Sequence, residues 1–263
     1  MEVERLDLAD LHSVRGFADR FADRHEELDL LVNNAGVMAL PRRLTADGFE
    51  VQIGTNHLGH LALTGLLFER LLARREPRVV TVSSEVHRLG RINFSDIHSE
   101  RRYSRWRAYG QSKLANLLFA YELQRRADGA GAPLKSVAAH PGYAATNLQS
   151  GASRAGGGLV TAIEGRAMAL GNRLFAQSDE MGALPTLYAA TVPDLPGGSY
   201  LGPDGIFEQR GYPQLVDSSR ASKDPSAAWW LWELSEELTG VRFELPSAGQ
   251  ARSRKPRAEQ AGF

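Results

Sequence analysis

The sequence predicts an α/β fold organised on a doubly wound, mostly parallel sheet, and three observations lead there. Residues 28–32, 78–82 and 134–139 are short apolar runs, the second rich in β-branched side chains. Continuous apolar strands of this length suit a sheet covered on both faces. Segments with apolar residues at helical spacing lie between the runs, and strand alternating with helix argues for βαβ units. The length also suits: at 263 residues, one large α/β domain buries roughly 70–75% of the surface its unfolded chain exposes.

Taken in order, the first helix is marked by Leu11, Val14, Phe17 and Phe21, with charges on the opposite side. The run 28–32 then ends in Asn33-Asn34-Ala35-Gly36. A long second helix, over about residues 45–73, carries Phe49, Ile53, Leu61, Leu67 and Leu71. The run 78–82 ends in Ser83-Ser84, and a third helix over about residues 108–126 carries Leu114, Leu117, Leu118, Tyr121 and Leu123. The run 134–139 ends at His140-Pro141-Gly142, and a weaker strand signal falls on Ser199-Tyr200-Leu201. Trp229, Trp230 and Trp232 are expected to pack a C-terminal helix onto the core. Crossovers in such a sheet are right-handed, and a ligand sits at the carboxyl ends of the strands. Residues 151–158 hold four glycines and read as a mobile loop. Residues 247–263 are polar, with Arg252, Arg254, Lys255 and Arg257, and read as a disordered tail behind a domain of residues 1–246.

Composition narrows the classes of function. With no cysteine, a disulfide scaffold, a thiolate zinc site and a cysteine nucleophile are excluded. Thirty-one basic residues balance 31 acidic ones, so charge gives no reason to expect nucleic acid or anionic membrane as a partner. No apolar run approaches about 18 residues, so no membrane span is expected. The opening Met1-Glu2-Val3-Glu4-Arg5 does not resemble a signal peptide, and a cytoplasmic protein is expected. His57 and His60 stand three apart, but no third ligand has suitable spacing, so no metal is expected. There is no Gly-x-Ser-x-Gly, which disfavours a serine hydrolase.

The chemistry concentrates on Tyr109-Gly110-Gln111-Ser112-Lys113. Tyr and Lys four apart on a helix share one face, with roughly 5–6 Å between Cβ atoms. A free phenol has a pKa of about 10, and a nearby ammonium is expected to bring it toward working pH. Such a pair can hand a proton to a carbonyl oxygen or take one from an alcohol. Alone, the spacing is common by chance. Ser84, 25 residues before Tyr109 at a strand end, offers a hydroxyl that can hold a substrate oxygen against the phenol. Asn56 sits inside an otherwise amphipathic helix, where asparagine is unfavourable unless it is exposed or has a polar task. The small residues after the first strand let a flat ligand approach the backbone, although Asn and Gly also favour plain turns.

In this order and spacing, these features resemble the short-chain dehydrogenase/reductase family, and more narrowly its retinol-dehydrogenase-like and WW-domain-oxidoreductase-like branch. Ile92-Asn93-Phe94-Ser95-Asp96, Arg102-Tyr103-Ser104, Ala108 to Asn116 and Trp232-Glu233-Leu234-Ser235 carry the likeness, which covers about residues 3 to 245. The resemblance implies a Rossmann-type fold and reversible hydride transfer between NADP or NAD and a small carbonyl or alcohol substrate, with hydride chemistry belonging to the nicotinamide. It implies Tyr109 as general acid/base, Lys113 as its tuning partner and a binder of the nicotinamide ribose, Ser84 as the polarising serine and Asn56 as support for a relay water. It implies Asp7, with Leu8 beside it, at the adenine; Asn33, Ala35 and Gly36 on the adenosine side; and Pro141, Gly142 and Thr146 at the carboxamide. The family commonly forms dimers or tetramers, so a homo-oligomer is implied. The apolar segment from Leu159 to Phe175 would lid the site, which suggests a hydrophobic substrate.

The sequence also departs from the family. The glycine-rich turn Thr-Gly-x-x-x-Gly-x-Gly, which seats a pyrophosphate on a helix N-terminus, occurs nowhere in the 263 residues. Leu6-Asp7-Leu8 reads as the family's third strand, so the chain reads as N-terminally truncated by about 50–60 residues, the length of the βαβ portion ahead of it. Three explanations follow: a true start upstream of Met1, which is favoured; a non-catalytic family member or interaction protein; or a fold with the third strand swapped or lost and weak cofactor binding. Tight dinucleotide binding is not expected of these 263 residues, and the segment that separates NAD from NADP is missing.

Overall fold

The structure, a computed structural model, describes residues 2–142 and 178–246. The expected loop at 151–158, the lid from Leu159 to Phe175, Thr146 and the tail at 247–263 lie outside the described residues. A five-stranded sheet runs in the order β1 (Leu30–Asn33), β2 (Arg78–Val82), β3 (Lys135–Ala139), β4 (Tyr200–Pro203) and β5 (Pro213–Leu215). The first four strands are parallel, and β5 returns antiparallel to β4. The expected α/β fold with a mostly parallel sheet is therefore present.

All five residues of β2 are buried because both faces of the sheet are covered, as expected for an apolar strand without alternation. Val79 packs with Phe119, Leu123, Leu134 and Trp232 on one face. Val80 packs with Val137, Ala139, Ala189 and Leu201 on the other. The helices that supply these residues are ended by specific side chains. Asp10 caps α1 (Leu11–Ala22) by accepting from the amides of His12 and Ser13.

The expected single helix over 45–73 is broken into three helices and a wide turn: α2 (Val51–Ile53), a π-helical turn (Gly54–Leu58), α3 (Gly59–Leu66) and α4 (Phe68–Leu72). Thr45 starts no helix. Its amide donates to the Phe49 carbonyl and its hydroxyl accepts from the Phe49 amide around a turn whose Gly48 sits at φ 84°, a conformation that glycine adopts without strain. Leu67, at φ −93° and ψ 3°, separates the last two helices. An apolar period reads the face of a helix but not an inserted residue, which is why the interruptions escaped the pattern.

The third helix is α5 (Arg105–Ala130), longer at both ends than its pattern and closed by Gly131 at φ 64°. Then come α6 (Asp179–Thr191), which the sequence pattern did not reveal, and the expected C-terminal helix α7 (Pro225–Thr239), capped by Asp224. No helix among the described residues is long and apolar enough to cross a membrane.

Leu6-Asp7-Leu8, expected as the family's third strand, is not a strand here. These residues form no ladder. Instead the Asp7 amide donates to Ser13 Oγ and the Asp7 carboxylate accepts from the Ala9 amide, which turns the chain into α1. A strand needs a neighbour for its backbone groups, and among the described residues β1 pairs only with β2.

The tryptophan expectation is also corrected. Trp232 alone is core, 2% exposed, stacked on Phe119 with ring centroids 5.7 Å apart and covered by the Arg126 guanidinium 4.4 Å from its ring. Trp229 and Trp230 are 45% and 59% exposed, because three residues within four positions cannot share one helix face. Trp232→Ala is expected to lower unfolding free energy by about 3–5 kcal/mol, and Trp230→Ala by less than about 1 kcal/mol. Urea unfolding of both variants checks this; equal losses would show the wrong helix face buried.

Candidate active site

Three strand exits and two helices converge at the carboxyl end of the sheet. At the end of β2, Ser83 is buried, and its Oγ donates to the Lys113 carbonyl at 2.8 Å, which ties the strand tip to α5. Ser84 then caps a short 3-10 turn (Glu85–Leu89), accepting from the Val86 amide at 3.3 Å. This turn lies directly on α5, because Gly90 and Gly110 carry no side chains. A Cβ on Gly110 would stand 3.0 Å from the Val86 carbonyl and 3.2 Å from the Gly90 nitrogen. That close approach sets Ser84 beside Tyr109, near enough for its hydroxyl to act on the phenol's acidity.

Lys113 follows one turn along α5, 5.8 Å from the centre of the Tyr109 ring. Its ammonium donates to the Val82 carbonyl at 3.0 Å, which also accepts from Asn116 Nδ2. Burial lowers the Lys113 pKa to about 8. Burial also pushes the Tyr109 phenol up to about 12, against a smaller lowering by the Ser84 hydrogen bond. The expectation that the ammonium brings the phenol toward working pH is therefore not met here: burial of the phenolate raises it, and Ser84, not Lys113, is the group that lowers it.

Asn56 is fully buried on the π turn, a form of helix that often marks functional positions. Its carboxamide is used at both ends. Oδ1 accepts from the Val37 amide at 2.7 Å, and Nδ2 donates to the Val37 carbonyl and to Ser112 Oγ, each at 2.9 Å. Ser112 Oγ in turn donates to the Tyr109 carbonyl at 2.8 Å. The Asn56 carbonyl accepts from His60 Nδ1 at 3.0 Å. A Cβ on Gly36 would stand 3.0 Å from Asn56 Oδ1 and 3.7 Å from Lys113 Nζ. The strand exit after β1 thus passes over both groups, and only a residue without a side chain leaves that approach open.

The other residues singled out in the sequence are placed as follows. Asn33 is buried and donates from Nδ2 to Thr64 Oγ1 at 3.0 Å, while Ala35 is exposed. Asp7 is exposed, and Leu8 covers Gly59, where a Cβ would collide with the Leu8 carbonyl. Gly142 turns at φ 65° behind Pro141. The structure brings Ser84, Tyr109, Lys113, Asn56 and Gly36 together; Asp7 and Leu8 lie at the start of α1. His57 and His60 face different partners: His57 Nε2 meets Ser235 Oγ at 2.9 Å, and His60 meets the Asn56 carbonyl. Ser112, His60 and Asn116 were not recognised from sequence. Only the position of Ser112 inside the Tyr109–Lys113 segment could have pointed to it.

A phenol held against a hydroxyl, with a buried ammonium one turn on and a glycine-floored approach to both, suits the ribose and nicotinamide end of a dinucleotide. The comparisons agree on the class. The family model for short chain dehydrogenases matches residues 2–155. Mouse retinol dehydrogenase 14 is 39% identical over 244 residues, which is 91% of this chain and 67% of that protein. Human retinol dehydrogenase 12 is 39% identical over 252 residues, 92% of this chain and 71% of that one. Mouse polyprenol dehydrogenase is 43% identical over 242 residues, covering 90% and 67%. A crystal structure of an uncharacterised protein from Mycobacterium paratuberculosis is 50% identical, with a TM-score of 0.74 over 93% of this chain and 77% of that one.

The fold and these likenesses make the chain a member of the short-chain dehydrogenase family, whose members are oxidoreductases. Within that family it is retinol-dehydrogenase-like.

Proposed function

We propose that the chain is an NAD(P)(H)-dependent oxidoreductase acting on the carbonyl or alcohol group of a small, hydrophobic substrate. The observation that carries this is the buried Tyr109 phenol beside the Ser84 strand tip, with the Lys113 ammonium one helical turn behind it. The names of the similar retinol and polyprenol dehydrogenases support long apolar alcohols, or the matching aldehydes, as the substrate class. When bound, the nicotinamide supplies the hydride. Lys113, with Gly36 leaving room beside it, would hold the ribose, and the Pro141–Gly142 turn would meet the carboxamide. Ser84 positions the substrate oxygen, and Tyr109 exchanges the proton with it. The Ser112–Asn56–Val37 chain of hydrogen bonds fixes the helix turn from which Tyr109 projects.

With its pKa near 12, the phenol is protonated at neutral pH and ready to act as an acid, so carbonyl reduction runs without a prior deprotonation. Alcohol oxidation needs the phenolate, whose fraction rises tenfold for each pH unit. Mixed with millimolar NADPH and a long-chain aldehyde such as decanal, the protein is expected to consume NADPH at a rate that changes little between pH 6.5 and 7.5. Oxidation of decanol with NADP is expected to climb about tenfold over the same interval. Millimolar cofactor is used because these residues contain no glycine-rich pyrophosphate cradle. That missing motif favours a second reading, a non-catalytic family member or interaction protein. NADPH loss no faster than in Tyr109→Phe would select it.

A further inference from the structure

Glu85, His140 and Glu208 place one ligand atom each within 4.8 Å of one another, beside the proposed active site but outside the groups used so far. A metal is the first reading of such a trio, and the hydrogen bonds argue against it. His140 Nδ1 accepts from the Gly142 amide at 3.2 Å, so the ring proton sits on Nε2. That Nε2–H points at Glu208 Oε2, 3.0 Å away, with Glu85 Oε1 at 3.5 Å. Arg88 already pairs with both carboxylates, at 2.7 Å from Glu85 and 3.4 Å from Glu208.

The surroundings are shaped to the imidazole. His140 is fully buried. Gly202 on β4 lacks a side chain where a Cβ would collide with His140 Nε2. Phe207 and Glu208 stand at φ 53° and 55°, a left-handed conformation uncommon for residues that carry a Cβ, and this bend aims Glu208 inward. The ring thus joins three segments: the turn after β3, the start of the 3-10 turn that holds Ser84, and the loop after β4.

We propose that His140 is a positioning residue with two separable tasks: its Nδ1 sets the Pro141–Gly142 turn, and its Nε2–H, through Glu208 and the Arg88 that links Glu208 to Glu85, sets Ser84. The assignment of tasks to catalysis rests on the oxidoreductase reading; the hydrogen bonds do not. Two variants divide the tasks. His140→Gln keeps a donor at the Nε2 position and loses the Nδ1 acceptor. His140→Asn keeps the acceptor and loses the donor. One neutral hydrogen bond corresponds to roughly a fivefold effect. His140→Gln is therefore expected to raise the KM for NADPH about fivefold, with kcat within twofold. The bond lost in His140→Asn is to a carboxylate and worth more than a neutral one, so this variant is expected to lower kcat at least about tenfold, with that KM within twofold. Glu208→Ala, changed at a partly exposed side chain, should match His140→Asn and serves if a buried substitution prevents folding.

Two measurements need no turnover. Nitrogen-15 NMR is expected to show His140 as the Nε2–H tautomer, and amide exchange at Gly142 is expected to be slowed in wild type and His140→Asn but fast in His140→Gln. An Nδ1–H tautomer, or equal Gly142 exchange in all three proteins, would overturn the proposal whatever the activity. If these two hold but the wild type consumes no NADPH, the oxidoreductase reading fails and the structural role of His140 stands. Identical kinetic losses in both variants would refute the division of tasks.

Discussion

Tyr109→Phe is expected to lower kcat/KM for aldehyde reduction by at least about 100-fold, the scale on which a positioned proton donor contributes. The change removes one oxygen from a buried ring. That oxygen lies beside the Ser84 hydroxyl, and the ring itself still packs edge-on against Trp106, 6.3 Å between centroids. Stability should therefore shift by about 1 kcal/mol or less, so lost turnover cannot be ascribed to unfolding. Steady-state NADPH consumption, with thermal unfolding as the control, decides it. Turnover within tenfold of wild type would remove Tyr109 from the acid role and with it the central support for the oxidoreductase reading.

The second large effect is a steep loss of stability in mild acid. Burial lowers the pKa of His57 to about 3, and those of His60 and His87 to about 4. All three are core residues with hydrogen bonds to Ser235, to the Asn56 carbonyl and to the Ser84 carbonyl, respectively. The unfolded chain takes up a proton at each near pH 6.5, whereas the folded chain does not until about pH 4. Stability from these groups is thus complete above pH 6.5 and is lost as pH falls toward their folded values. Between pH 7 and 4.5 each gives up roughly 2 kcal/mol, and the three together reach roughly 6–7 kcal/mol, comparable with the whole stability of a typical domain. Urea midpoints measured from pH 7 to 4.5 check this. A midpoint that stays level down to pH 4.5 would mean that these rings meet water in the fold.

The parts of the fold legible in the sequence were those whose burial is symmetrical or one-sided. β2 and β3 were found almost to the residue because their apolar runs face a covered sheet on both sides. In α1, Leu11, Val14, Phe17 and Phe21 form one inward stripe. The helix α6 has no such stripe: Gly182, Pro185 and Ala189 are its buried residues, while Leu187 and Tyr188 are exposed. The three-residue edge strand β5 contains a proline and is mostly exposed, which leaves no alternation to read. Within the site, Tyr109, Lys113, Ser84 and Asn56 stood out because their residue types and spacing carry chemistry. Ser112 and His140 each also depend on a partner distant in sequence, Asn56 and Glu208, so spacing did not give their roles, and His60 stood out only as a candidate metal ligand. The acidity of Tyr109 was misjudged for a related reason: residue spacing reveals the ammonium nearby but not the removal of water.

The wide turn at Gly54–Leu58 sets a rule about chain length that substitutions alone would not expose. It accommodates one more residue than an α-helical path between the same ends. Deleting a single amino acid there would let the coil close at 3.6 residues per turn with both flanking segments left in register, while the side chains inside the turn rotate to new directions. Asn56 would leave Val37 and Ser112 even though every other amino acid remained in place. Along this stretch, insertions and deletions are therefore the damaging changes, and an exchange of one exposed side chain for another is mild by comparison.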